Sequence, residues 1–200
     1  NNINLVTAGH YLPIVIESIK KARKRGLTIP IVYNSSGYEK VEAIEALNGI
    51  VDIFLPDFKY ISSEMAARYS NAPDYPEVAK RALAQMVKQT GEAKFDERDM
   101  MKRGVIVRHL ILPGHIKESK KAIRYLYETY GDQIYISIMN QYTPMPGIEK
   151  RFKNLGRTIT QREYDEVVDY AVDLGVENGF IQEGETAKES FIPQFDDTGL

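Results

Sequence analysis

Apolar positions in this chain follow two alternating rhythms. Short, nearly continuous apolar runs alternate with longer stretches in which apolar residues recur every three or four positions. The first run, Ile3–Thr7, predicts a short buried strand. After Gly9-His10-Tyr11-Leu12-Pro13, the spacing of Ile16, Ile19 and Ala22 predicts a helix over Ile14–Lys24, ended by Gly26. Ile29–Asn34 predicts a second strand, Lys40–Leu47 a helix, and Val51–Leu55 a third strand whose one polar residue is Asp52. Helices are expected over Ser62–Tyr69 and Tyr75–Gln89, the latter with Pro76 in its first turn. The charged segment Glu92–Lys102 reads as a loop or small hairpin. Val105–Leu112 then predicts a fourth strand, Lys117–Tyr130 a helix and Ile134–Met139 a fifth strand. Thr160 with Glu163 has capping-box spacing and starts a helix to about Leu174, and Phe180-Ile181 offers a sixth, short extended piece.

Strand followed by helix, five times over, predicts an α/β fold with a parallel sheet and right-handed crossovers. An open doubly wound sheet and a barrel both satisfy that order. Polar residues follow nearly every strand: Thr7 and His10, Asn34 and Ser36, Asp57 and Lys59, Arg108 and His109, Asn140 and Tyr142. A barrel gathers all its strand ends at one mouth, where its sites are built. The pattern therefore favours a barrel or partial barrel formed by residues 1–200 as a single domain.

Composition narrows the chemistry. The 200 residues include no cysteine, which excludes disulfides and thiolate metal sites within the chain. A net charge of −2 lacks the basic excess of a nucleic-acid surface. No apolar run approaches the ~20 residues that cross a bilayer, so no membrane association and a cytoplasmic location are expected. The chain starts on a strand-like segment without an initiator Met, so a fragment beginning inside a fold is expected.

Asp57 and Lys59 are two positions apart on a strand end, so their side chains project to the same side. They form either a clamp for a zwitterionic or hydroxyl-rich ligand or an internal ion pair. Arg108 sits inside the apolar run VIVRHLILPG and is costly to bury unpaired, so it should face a carboxylate in a polar interior. His109 reads as a packed, hydrogen-bonded residue. His10, His109 and His115 lack local ligand spacing, and no metal site is expected. Asn34-Ser35-Ser36-Gly37 offers amides and hydroxyls suited to a ribose or phosphate, or a plain turn. Met139-Asn140-Gln141-Tyr142 suits an adenine edge, or a strand cap. YLYETY, Tyr125–Tyr130, is expected to pack a helix.

Taken in order, these segments resemble the pyruvate formate-lyase activating enzymes of the radical S-adenosylmethionine (SAM) superfamily, from LVTAGH to the tail GFIQEGETAKESFIP. The resemblance implies a three-quarter (β/α) barrel of which this chain carries five of six strands. It implies SAM as cofactor together with a 4Fe-4S cluster whose three cysteine ligands, with the first strand, would precede Asn1. The family's glycine-glycine-glutamate loop falls at Thr7-Ala8-Gly9-His10, where the glutamate is missing. The resemblance matches Ser35-Ser36-Gly37 to a family turn, with Asn34 just before it. It matches Asp57 and Lys59 to contacts with the SAM ribose hydroxyl and carboxylate, Arg108 with Pro113-Gly114 to the fifth strand, and Asn140 and Tyr142 to the adenine side. The implied activity is reductive SAM cleavage to a 5′-deoxyadenosyl radical that abstracts hydrogen, from a glycine of a partner glycyl-radical enzyme. The cysteine-free chain itself would be inactive, and an exposed sheet edge would make it self-associate. Two other readings stand beside this one: a Schiff-base aldolase using Lys59, and a degenerate barrel that only binds a nucleotide-like ligand.

Overall fold

A computed structural model describes residues 1–181; most of the tail segment quoted above, from Gln182 onward, lies outside the described residues. Seven strands form one sheet: β1 Ile3–Val6, β2 Ile31–Ser35, β3 Ile53–Pro56, β4 Lys94–Phe95, β5 Met101–Leu110, β6 Tyr135–Met139 and β7 Gly179–Ile181. Their order is β1-β2-β3-β5-β6-β7, with β4 paired to β5. Every pairing along that path is parallel, and β4 alone is antiparallel. The main strands thus lie in chain order. A doubly wound sheet needs a reversal of strand order at its switch point; none is present among the described residues. Right-handed crossovers that always step in one direction put their helices on one face. The result is an open, barrel-like α/β sheet, and its short last strand contains Phe180-Ile181.

Six main helices complete the fold: α1 Leu12–Lys24, α2 Val41–Ala46, α3 Ser63–Ser70, α4 Tyr75–Thr90, α5 Ile116–Tyr130 and α6 Gln161–Leu174. Local chemistry sets their ends. Ser62 Oγ accepts the Met65 amide and starts α3. The capping box opens α6: Glu163 N–H donates to Thr160 Oγ1 at 3.2 Å, and Thr160 N–H to Glu163 Oε2 at 2.9 Å. Glu163 Oε1 also accepts the Gly114 amide, so α6 is tied to the loop after β5.

Alternation sorts each strand. Ile31 and Tyr33, Phe54, Val105 and Val107, Ile136 and Ile138 join the apolar core beneath the helices. Asn34, Leu55, Arg108 and Ser137 alternate with them and share the opposite face. Tyr125 stacks on Phe58 and joins the core, as its helix pattern implies.

Two readings need correction. Ile3–Thr7 was expected to be buried, but Ile3, Asn4 and Val6 are exposed, because among the described residues β1 is an edge strand with β2 as its one partner. The fourth main strand begins at Met101 rather than Val105. The segment before it folds back as the hairpin β4–β5, pairing Lys94 with Arg103. No helix among the described residues is long and apolar enough to cross a membrane.

Candidate active site at the strand mouth

Parallel strands deliver their C-terminal ends to one side of the sheet, and the residues after β2, β3 and β5 converge there. The chain leaves β3 still hydrogen-bonded on both sides. Asp57 N–H donates to Ser35 O at 2.9 Å, and Phe58 N–H to Arg108 O at 2.8 Å. Phe58 buries its ring completely against Tyr125, which anchors the segment; burial of such a ring stabilises by about 1.5–3 kcal/mol. Asp57 and Lys59, on either side, are thereby turned to the mouth.

Asp57 Oδ1 lies 2.6 Å from Arg108 Nη2. That contact is ionic rather than a well-angled hydrogen bond, since Asp57 Oδ1 has no hydrogen-bond partner. Arg108 Nη2 instead donates to Asn34 Oδ1 at 2.7 Å. Lys59 Nζ stands 3.8 Å from the other oxygen of Asp57. The expected carboxylate partner of Arg108 is therefore Asp57, which is shared by two cations, while Arg108 in turn reaches the Asn34 side-chain amide. Arg108 Nε is buried and makes no hydrogen bond either.

The remaining candidates are placed differently. Thr7 has a left-handed backbone, φ 54°, which a β-branched residue rarely adopts, and its amide donates to Asn34 O. Gly9 and the exposed His10 lie in the short 3-10 turn Ala8–Tyr11 that follows. A carboxylate does stand against this loop: a side chain at Gly9 would meet Glu39 and the Tyr33 hydroxyl. Burial raises the pKa of both Glu39 and Tyr33. Ser36 Oγ accepts the Tyr38 amide in a turn. Asn140 follows β6, and the Tyr142 hydroxyl donates to Leu155 O, fastening the loop between β6 and α6.

His109 is buried, with its Nδ1 donating to Phe58 O at 2.7 Å; burial lowers its pKa and keeps the ring neutral. His115 meets the Tyr69 hydroxyl at 2.8 Å and Asn154 Nδ2 at 2.6 Å, away from Asp57, beside a cavity of about 790 Å³ between α3 and α5. Among the described residues, no group of three or more His, Asp or Glu is placed to hold a metal.

Three residues at this site escaped the sequence reading. Tyr75, Glu39 and Glu118 carry no motif. The carboxylate of Glu118 accepts the Ile61 and Ser62 amides from 57 and 56 residues away. In the sequence Tyr75 is simply the first residue of an expected helix.

No protein-family model matches the chain. It is 29% identical over 170 residues to an uncharacterized protein of Methanocaldococcus jannaschii, a match that covers 85% of this chain and 46% of that protein. The chain thus spans about half the length of the curated relative it matches. Its fold is similar to a crystallised domain of pyruvate-formate lyase-activating enzyme from Bacteroides vulgatus, with a TM-score of 0.61 over 92% of this chain and 98% of that one, at 13% identity. That likeness establishes the fold.

Proposed function

We propose that this chain is the SAM-binding part of a radical SAM-type barrel, similar to the activating enzymes of glycyl-radical proteins. The observation that carries the reading is the convergence of Asn34, Asp57, Lys59 and Arg108 on one mouth. SAM carries a carboxylate, an amino group and a ribose diol. The Lys59 ammonium suits the first, and the Asp57 carboxylate the hydroxyls. Arg108 holds Asp57 from one side, so that the carboxylate is fixed at the mouth by an ion pair at 2.6 Å while Lys59 stands 3.8 Å away.

The 4Fe-4S cluster does not fit this chain. Such a cluster is held by thiolates, and the sequence has none. No radical step is assigned to these residues. Their share is to bind and orient SAM, while hydrogen abstraction from a partner's glycine belongs to a protein that also supplies the cluster ligands.

The aldolase reading is weaker. A Schiff-base lysine is activated by desolvation or a neighbouring cation. Lys59 is instead 42% exposed and faces the Asp57 carboxylate.

Calorimetric titration of SAM tests the proposal. Asp57→Ala and Lys59→Ala should each weaken binding by roughly ten- to a hundred-fold, as expected for a lost charge-assisted hydrogen bond. Binding equal to the parent's in both variants would remove the mouth from the site.

A further inference from the structure

We propose that the Tyr75 hydroxyl is the positioning group of this mouth: it locks the loop after β2 against the Asp57-Phe58-Lys59 segment and so sets where carboxylate and ammonium are presented. The inference deepens the SAM reading and rests on it for the ligand, though not for the geometry.

Tyr75 enters from the first turn of α4 and is buried. Its single hydroxyl proton is shared between Ser36 O at 2.9 Å and Asp57 O at 3.0 Å, and its oxygen accepts the Lys59 amide at 3.0 Å. One oxygen thus touches the loop after β2 and both functional residues after β3. Burial raises the pKa of this hydroxyl, so it stays protonated and able to donate.

The backbone between these residues is otherwise tied by main-chain bonds, apart from Phe58 O, which accepts from His109. The Asp57 carbonyl and the Lys59 amide depend on Tyr75. Gly37 completes the arrangement: at φ +76° it brings the β2 loop so close that a Cβ there would collide with Asp57 O, the carbonyl that Tyr75 holds. The ring is fixed from outside. Tyr38 stacks on it at 5.8 Å and 16°, and the Tyr38 hydroxyl donates to Asp74 at 2.7 Å, beside the start of α4. Tyr60 meets it edge-on at 5.6 Å.

Tyr75 is a positioning residue, because its hydroxyl is spent on backbone and is not free for a ligand. Its removal should alter affinity at temperatures far below unfolding, which a merely structural residue would not do. Tyr75→Phe deletes the shared donation and the accepted bond and keeps the ring.

The experiment compares the parent, Tyr75→Phe and Tyr38→Phe by amide hydrogen exchange, thermal melting and calorimetric titration with SAM. Tyr75→Phe should exchange the Lys59 amide at least about tenfold faster and bind SAM about five- to tenfold more weakly, the range of one lost hydrogen bond. Tyr38→Phe, which alters only the outer contact, should leave affinity within about twofold. Unchanged Lys59 exchange in Tyr75→Phe overturns the clamp. Faster exchange with parental affinity overturns the positioning role. If the parent itself does not bind SAM, the SAM reading falls, and the exchange rates alone then support or overturn the clamp.

Discussion

Removing the Asp57 carboxylate should destabilise the protein more than removing its cationic partner. Asp57→Ala leaves the Arg108 guanidinium with Asn34 Oδ1 as its hydrogen-bond acceptor and Nε still unpaired, while Lys59 loses its counter-charge. The Asp57 and Arg108 side chains are 21% and 25% exposed, between the surface and the interior. Exposed pairs contribute about 0–1 kcal/mol, whereas breaking a buried pair costs about 3–5 kcal/mol. The geometry therefore sets the cost of Asp57→Ala at about 2 kcal/mol, which for a chain of this size lowers the melting temperature by about 4–8 °C. Arg108→Met is milder, about 1 kcal/mol, because Asp57 keeps Lys59 at 3.8 Å. The double variant Asp57→Ala/Arg108→Met should cost less than the sum of the two. Urea denaturation of all four proteins gives the coupling energy, expected at about 1 kcal/mol. A coupling below about 0.3 kcal/mol would refute the view that Asp57 and Arg108 act as one electrostatic unit.

Treated with iron and sulfide under anaerobic, reducing conditions, the chain should show no brown cluster absorbance and form no 5′-deoxyadenosine; either signal would contradict the thiolate argument. The chain should self-associate, since among the described residues β1 lies at the sheet edge, beside the exposed apolar Ile3, Val6, Tyr11 and Ile14. Light scattering showing a clean monomer at high concentration would count against this. Stability should fall as the pH drops below about 6.5. Burial lowers the pKa of His109 and His115, so the unfolded chain takes up protons first, and protonation then favours unfolding. A melting temperature equal at pH 7.5 and 5.5 would be the opposite outcome.

Much of the architecture was legible because the strands are short and their crossovers regular. The capping box at Thr160 and Glu163 marked α6, and the alternation in VIVRHLIL placed Arg108 on the face opposite Val107 and His109. The i, i+2 spacing put Asp57 and Lys59 side by side, as the 3.8 Å contact shows. What the sequence hid was long-range. Edge or interior placement of β1 depends on which strands neighbour it, and Ile3–Val6 looks equally apolar in either place. The partnership of Asn34 with Arg108 spans 74 residues, and Tyr75 reaches the loop after β2 across 39. Such contacts follow from register, which no local pattern of these residues encodes. Tyr142 has a side chain suited to a ligand, yet the structure gives its hydroxyl to Leu155 O. Only the path of the loop between β6 and α6 decides that.

The central claim is that this mouth holds SAM, and a crystal structure of the chain soaked with S-adenosylhomocysteine, the unreactive analogue, tests it most directly. The account predicts the ligand at the C-terminal ends of β2, β3 and β5, with its carboxylate within hydrogen-bonding distance of Lys59 and a ribose hydroxyl on Asp57. Density for the ligand elsewhere, for instance in the cavity beside His115 and Arg68 between α3 and α5, with the mouth unchanged, would contradict it.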